Sequence, residues 1–160
     1  EGRGKILRYN GNSDKPFGII DMTTAYNNLA TKVYRGFMLL SDNLTLIQDE
    51  ISLTSQNKQI EWTSVTNAII TANRNRAVLQ KGDKSFYLRI ISPADATFTT
   101  TVAKTNSSDE APIINYYLLK ITVYPTDETD RTIRVVMSSD QNAINDERLI
   151  GSLTPLLNWN

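Results

Sequence analysis

Short runs in which apolar and polar residues alternate one for one, separated by turn-forming dipeptides, constrain this chain more than any other feature. In "SFYLRII" Phe86, Leu88 and Ile90 share one face while Tyr87 and Arg89 share the other. "TIRVVM" sets Ile133, Val135 and Met137 against Thr132, Arg134 and Val136. "NYYLLKITVY" sets Tyr117, Leu119, Ile121 and Val123 against Tyr116, Leu118, Lys120, Thr122 and Tyr124, a composition that predicts a strand covered on both faces. A period of two is the strand signal, because successive side chains of extended backbone point to opposite sides.

Further strands are predicted at "GKILRY", "PFGIID", "TKVYRGFMLL", "LTLIQDEI", "KQIEWTS", "NAIITAN", "RAVLQK" and "ATFTTTV". Between them lie "YNGNSDKP" with Asn10-Gly11, "SDN" at 41–43 and "KGDK" at 81–84. Gly and Asn tolerate positive φ, so these segments predict hairpin connections. "TNSSDEAP" (105–112) and "PTDETD" (125–130) read as polar loops. No stretch keeps a helical period, and "DQNAINDERL" (140–149) allows at most a short helix. Strands recurring every ~8–12 residues with little helix predict an all-β fold, an antiparallel two-sheet β-sandwich of about ten to twelve strands. At 160 residues, with no linker and no repeat, residues 1–160 form one domain in this reading. The apolar tail "LIGSLTPLLNWN" predicts docking of Leu153, Leu156, Leu157 and Trp159 onto the sandwich or onto a neighbouring domain.

Composition then narrows the chemistry. The chain has no histidine and no cysteine, which excludes Ser-His-Asp and Cys-His catalysis, disulfides and thiolate zinc sites. The formal net charge is zero, so no overall field gathers nucleic acid, and no nucleic-acid partner is expected. No apolar run approaches the ~20 residues of a membrane helix. The chain begins at Glu1 without a start methionine, which reads as a processed product or an excised fragment.

Four groups of residues are candidate sites, each weighed against a structural role. Asp-Glu pairs at 49–50, 109–110, 127–128 and 146–147 offer oxygen ligands but lack the spacing of a calcium loop, and read as solvated loop and edge charges. "NRNR" puts Arg74 and Arg76 on one side of an extended segment near Lys81 and Lys84, a patch suited either to the carboxylates or sulfates of an acidic sugar or to a solvated hairpin face. Trp62, Tyr87, Tyr116, Tyr117 and Tyr124 form either a sugar-stacking platform or ordinary core and cross-strand pairs. "DMTTAY" brings Asp21 and Tyr26 together just before a strand. It is either an Asx- or Thr-stabilised turn with Tyr26 packed inward, or a place where a phenol is held for proton transfer.

The order "DMTTAY", "VYRGFMLL", "LTLIQDEI", "IEWTSVTNAIIT", "NRAVLQKGDKSFYLRIISP" and "YYLLKITVYP" resembles the C-terminal β-domain of heparinase II/III-like polysaccharide lyases, a group with alginate-lyase-related architecture. The shared features are an acid-x-Thr-x-Ala-Tyr segment, an Arg-bearing strand, a strand ending in Asp-Glu, a Trp strand, a hairpin ending in Ser-Pro and a late Leu-Lys-Ile strand. They span residues 4–138, and Trp159 is in keeping.

The resemblance implies an antiparallel sandwich that follows an (α/α) toroid, and β-elimination of a uronic-acid polysaccharide such as heparin, heparan sulfate or alginate. Tyr26 is the position matching a tyrosine that the β-domain contributes to the site, and Asp21 the one matching an aspartate ligand of a structural metal. The family's metal histidine has no counterpart: its place reads Trp62-Thr63-Ser64-Val65-Thr66. No cofactor is therefore expected within this chain, and a structural metal would belong to the full-length protein. The implied partners are an acidic polysaccharide and the toroid, and the implied location is the periplasm or the exterior of a bacterium. Two other readings stay open: a carbohydrate-binding module gripping acidic glycan through Arg74 and Arg76, and a structural or adhesive sandwich without a sugar ligand.

Overall fold

The computed structural model describes residues 2–105 and 113–160, so most of the predicted 105–112 loop and its Asp-Glu pair lie outside the described residues. Eleven strands are described: β1 Lys5–Asn10, β2 Phe17–Asp21, β3 Ala30–Ser41, β4 Leu44–Leu53, β5 Ile60–Thr66, β6 Ile69–Asn73, β7 Arg76–Lys81, β8 Lys84–Ser92, β9 Phe98–Val102, β10 Tyr117–Val123 and β11 Asp130–Ser138. Each predicted strand is present. They form an eight-stranded sheet in the order β1-β2-β3-β4-β11-β8-β7-β6 and a three-stranded sheet in the order β5-β10-β9. Every pairing is antiparallel.

Hairpin chemistry sets the register. Ser41 pairs with Leu44 around Asp42-Asn43. Lys81 pairs with Lys84 around Gly82-Asp83, where Gly82 takes φ +62° without a Cβ penalty. The three-stranded sheet covers one face of the large one, burying Trp62, Phe98, Leu119 and Ile121 against Val33, Ile51, Leu88, Ile90, Ile133 and Val135. The outer face of the small sheet is open: along β10 only Leu119, Ile121 and Val123 are buried, while Lys120 pairs with Glu61 at 2.9 Å. Among the described residues the expected two-sided cover of this strand is therefore absent, because its sheet is the outer layer. Strands covered on both faces are instead β4 and β11; in β11 Ile133 and Val135 face the small sheet and Arg134 and Val136 face away from it.

The second face of the large sheet is covered by the C-terminal segment. A single 3₁₀ turn at Ala143–Asn145 and a one-turn helix α1, Glu147–Ile150, match the short helix expected there. Leu156 and Trp159 are buried against Phe17, Ile19, Leu40, Leu44, Leu46 and Val136. Leu153 and Leu157 stay about half exposed, so docking involves two of the four predicted tail residues. Trp159 meets Phe17 edge to face at 6.0 Å between ring centroids. Polar groups of β4 fix the tail backbone: Leu156 N–H donates to Glu50 Oε1 at 2.7 Å, and Gln48 Nε2 donates to the Thr154 carbonyl at 2.9 Å.

Gly36 makes the close approach possible, since a Cβ there would sit 2.7 and 2.8 Å from two ring carbons of Trp159 and closer still to a Leu156 methyl. Gly36→Ala is expected to lower unfolding free energy by about 1–3 kcal/mol in denaturant titration, through overpacking. An unchanged midpoint would mean that the tail does not rest on β3.

Candidate functional site

The "DMTTAY" segment folds as a 3₁₀ turn, Thr23–Tyr26, between β2 and β3. Thr23 N–H donates to Asp21 Oδ1 at 2.8 Å, the Asx turn that an Asp two residues ahead of a donor favours. Thr23 Oγ1 accepts from Val33 N–H at 3.0 Å, and Met22 N–H donates to the Val33 carbonyl at 2.8 Å, so the turn is sewn to the start of β3. Thr24 Oγ1 donates to the Arg3 carbonyl and accepts from Arg3 N–H, which ties down the N-terminal segment. Asn28, at φ +66°, returns the chain toward β3. Each polar residue of the segment thus has a structural task, as the turn reading expects. Tyr26 departs from that reading, because its side chain is 44% exposed rather than packed inward.

Tyr26 lies on the wall of a cavity of about 310 Å³ at the margin between the two sheets. Met22, Leu29, Val33, Ile51, Leu53 and Ile133 give it an apolar lining; Lys58, Gln59 and Glu61 also line it. Its polar wall is an ion pair. Arg35 on β3 and Asp49 on β4 are register partners, and the guanidinium donates Nε to Oδ1 at 2.6 Å and Nη2 to Oδ2 at 2.9 Å. Such a two-pronged bond fixes both planes and holds the guanidinium in one orientation. Asp49 is 2% exposed, so burial pushes its carboxyl up, against the opposing pull of Arg35 and of the Trp62 indole N–H. For Arg35, burial works against the charge and the bonds and charge of Asp49 outweigh it, leaving the guanidinium above its ordinary value; the Tyr26 side chain adds a smaller push in the same direction. Trp62 is in the core, and its buried Nε1 faces Asp49 from outside hydrogen-bond geometry.

Asp49 and Glu50 overturn the reading of that Asp-Glu pair as solvated charge. Both lie in β4 on the strand's two opposite faces, one clamping Arg35 toward the cavity and the other clamping the tail. Sequence reasoning weighed Asp49 only as a possible oxygen ligand and passed over Arg35 and the pairing of the two. The signal available was an Arg-bearing strand and an Asp-Glu strand in succession, which a short hairpin places side by side.

Of the remaining candidates only Trp62 shares the Tyr26 cavity, where it forms part of the wall from the core side. Asp21 is tied to the turn; hydrogen bonds from Thr23, side chain then backbone, together with the Lys5 charge hold its carboxyl below the usual range despite slight desolvation. Among the described residues no group of three or more His, Cys, Asp or Glu stands close enough to hold a metal, so this donor set alone does not fit the implied ion. "NRNR" is not extended: Asn73 pairs with Arg76 around a two-residue turn in which Arg74 takes φ +51°. Arg74 and Arg76 are exposed at that tip, while Lys81 and Lys84 sit at the far end of β7, about 17 Å away at the rise of a strand. Neither arginine lines the Tyr26 cavity, and β7, which begins at Arg76, stands four spacings from β3, roughly 19 Å. The aromatic platform does not form: Trp62 is core, Tyr87 packs on the tail side, and Tyr116, Tyr117 and Tyr124 flank the small sheet.

No family model matches the chain, and no curated protein matches it. Solved structures do. A heparinase III gene product with methylated lysines aligns at TM-score 0.64 and 13% identity, over 85% of this chain and 21% of that one. The heparan sulfate lyase HepC from Pedobacter heparinus gives 0.61 and 8%, over 85% and 21%. A crystal structure of heparinase III gives 0.56 and 14%, over 84% and 20%. The chain therefore has the fold of one part of these proteins and spans about a fifth of their length.

Two outcomes test the local geometry. Asp49→Ala is expected to cost about 3 kcal/mol in chemical denaturation by stranding Arg35 on an apolar wall, and a loss below about 1 kcal/mol would show the pair to be solvated. Asp21 has a folded-state pKa below its unfolded one, so its contribution is present above the ordinary aspartate range and disappears as pH falls through the folded value. The stability difference between wild type and Asp21→Asn should accordingly be present at neutral pH and vanish in acid; a difference independent of pH would remove the carboxylate from the turn's energetics.

Proposed function

We propose that this chain is the C-terminal β-sandwich of a polysaccharide lyase that acts by β-elimination on a uronic-acid glycan, with heparan sulfate the leading substrate and alginate a second. In this reading the sandwich buttresses a catalytic (α/α) toroid and lines one side of its cleft. The observation that carries it is the fold likeness over 84–85% of the chain to lyases of that name. Support comes from Tyr26, a half-exposed phenol on a turn fixed by five hydrogen bonds at Asp21, Met22, Thr23 and Thr24.

The chemistry suits a tyrosine. A base takes the C5 proton of the uronate, the adjoining carboxylate is neutralised so that the resulting carbanion is stabilised, and the C4–O bond breaks. The electron pair forms the C4–C5 double bond, and the departing oxygen takes up a proton. A phenol serves as acid or base in such a step when it is held within hydrogen-bond reach. Arg35, fixed by Asp49, sets the charge environment on the sandwich side, and Tyr26 would meet substrate from the turn. Arg74 and Arg76, outside that cavity, would contact glycan only along a longer binding path. A structural metal would draw its other ligands from outside this chain, with Asp21 supplying one carboxylate. An enzyme of this kind works in the periplasm or outside the cell, and no described helix is long and apolar enough to cross a membrane.

Tyr26→Phe in the full-length enzyme is expected to lower kcat by about 100-fold or more, with unfolding free energy changed by less than about 0.5 kcal/mol. Normal turnover with lost stability would return Tyr26 to a packing role. Tight binding of heparan sulfate by the isolated chain would favour a carbohydrate-binding module instead.

A further inference from the structure

On the face of the large sheet opposite Tyr26, the C-terminal segment leaves a second cavity of about 280 Å³ between itself and β3, β4 and β11. Met38, Leu40 and Leu46 line its sheet side, the tail adds Trp159 and polar groups at Ser152, Thr154, Asn158 and Asn160, and two cations line it, Arg134 and Lys15. No Asp or Glu side chain is among its lining residues. Arg134 is 4% exposed, yet it has no carboxylate partner among the described residues. One of its five N–H donors is used on the Ile150 carbonyl, at 3.1 Å, and its buried Nε has no partner. Burial pulls this guanidinium below its ordinary pKa, and the more distant charge of Glu147 only partly offsets that.

A buried charge without a counter-charge is among the costliest features a fold retains. Elsewhere in this chain the same problem is solved internally, as when Asp49 takes both prongs of Arg35. At Arg134 the space beside the charge is left open instead, and a second cation, Lys15, stands at it from the exposed β1–β2 loop.

We infer that this cavity is a binding site for a small oxyanion of sulfate or phosphate size, held between the Arg134 guanidinium and the Lys15 ammonium. The anion is either free or carried as the sulfate ester of a sugar. The site is separated from the Tyr26 cavity by the thickness of the large sheet, and its existence does not depend on the lyase reading.

Calorimetric titration with sodium sulfate, against sodium chloride at matched ionic strength, tests it. Saturable one-to-one binding of sulfate is expected, with none for chloride. Lys15→Met, at an exposed position, should weaken it about tenfold, and Arg134→Met should abolish it. If Arg134→Met does not fold, the Lys15 variant carries the test alone. N-acetylglucosamine 6-sulfate identifies the source: binding about tenfold tighter than inorganic sulfate assigns the anion to a sugar, and equal binding assigns a free oxyanion. Absence of saturable binding, or binding undiminished in Lys15→Met, overturns the inference.

Discussion

The structure depends on covering the β4–β11 pair at the centre of the large sheet on both faces with two unrelated elements. One cover is the β5-β10-β9 sheet, which buries Trp62, Leu119 and Ile121 against Ile51, Ile133 and Val135. The other is a tail with hardly any regular structure, whose Leu156 and Trp159 fill the space above Gly36. A tail so poor in internal hydrogen bonds must borrow partners from the sheet. Glu50 and Gln48 supply them, which is why a central strand tolerates buried polar residues on that side.

Neither cover is complete, and the cavities lie at the margins. Beside the small sheet, the gap is walled by Arg35 and Asp49 and overlooked by Tyr26. Beneath the tail, the gap is walled by Arg134 and reached by Lys15. The two differ in electrostatic character: in the first a half-buried cation is matched by a buried anion, and in the second a buried cation has no anionic partner among the described residues. That contrast separates a cavity whose charge is satisfied within the fold from one whose charge is left open to an outside anion.

The strands and most of their connections were legible in the amino-acid sequence, because alternation and turn dipeptides are local signals. The faces of β8 and β11 follow the alternation directly, as Leu88, Ile90, Ile133 and Val135 show. What was not legible depends on layer and register. Nothing within "NYYLLKITVY" tells that its strand lies in an outer sheet. "NRNR" reads as extended until Asn73 is known to pair with Arg76. The site was half legible: Asp21 and the threonines advertise the turn, whereas Arg35 and Asp49 become neighbours only through the β3–β4 register. Arg134 falls on the face of its strand opposite Ile133 and Val135, and only the sheet order and the docked tail show that face to be covered.

The central claim, that this sandwich is one part of a lyase whose chemistry needs the rest, is met most directly by following unsaturated uronate formation from heparan sulfate by its ultraviolet absorbance. The account predicts product from the full-length protein and none from the 160-residue chain alone. Elimination by the isolated chain, or none by a full-length protein given heparan sulfate and alginate in turn, would contradict it.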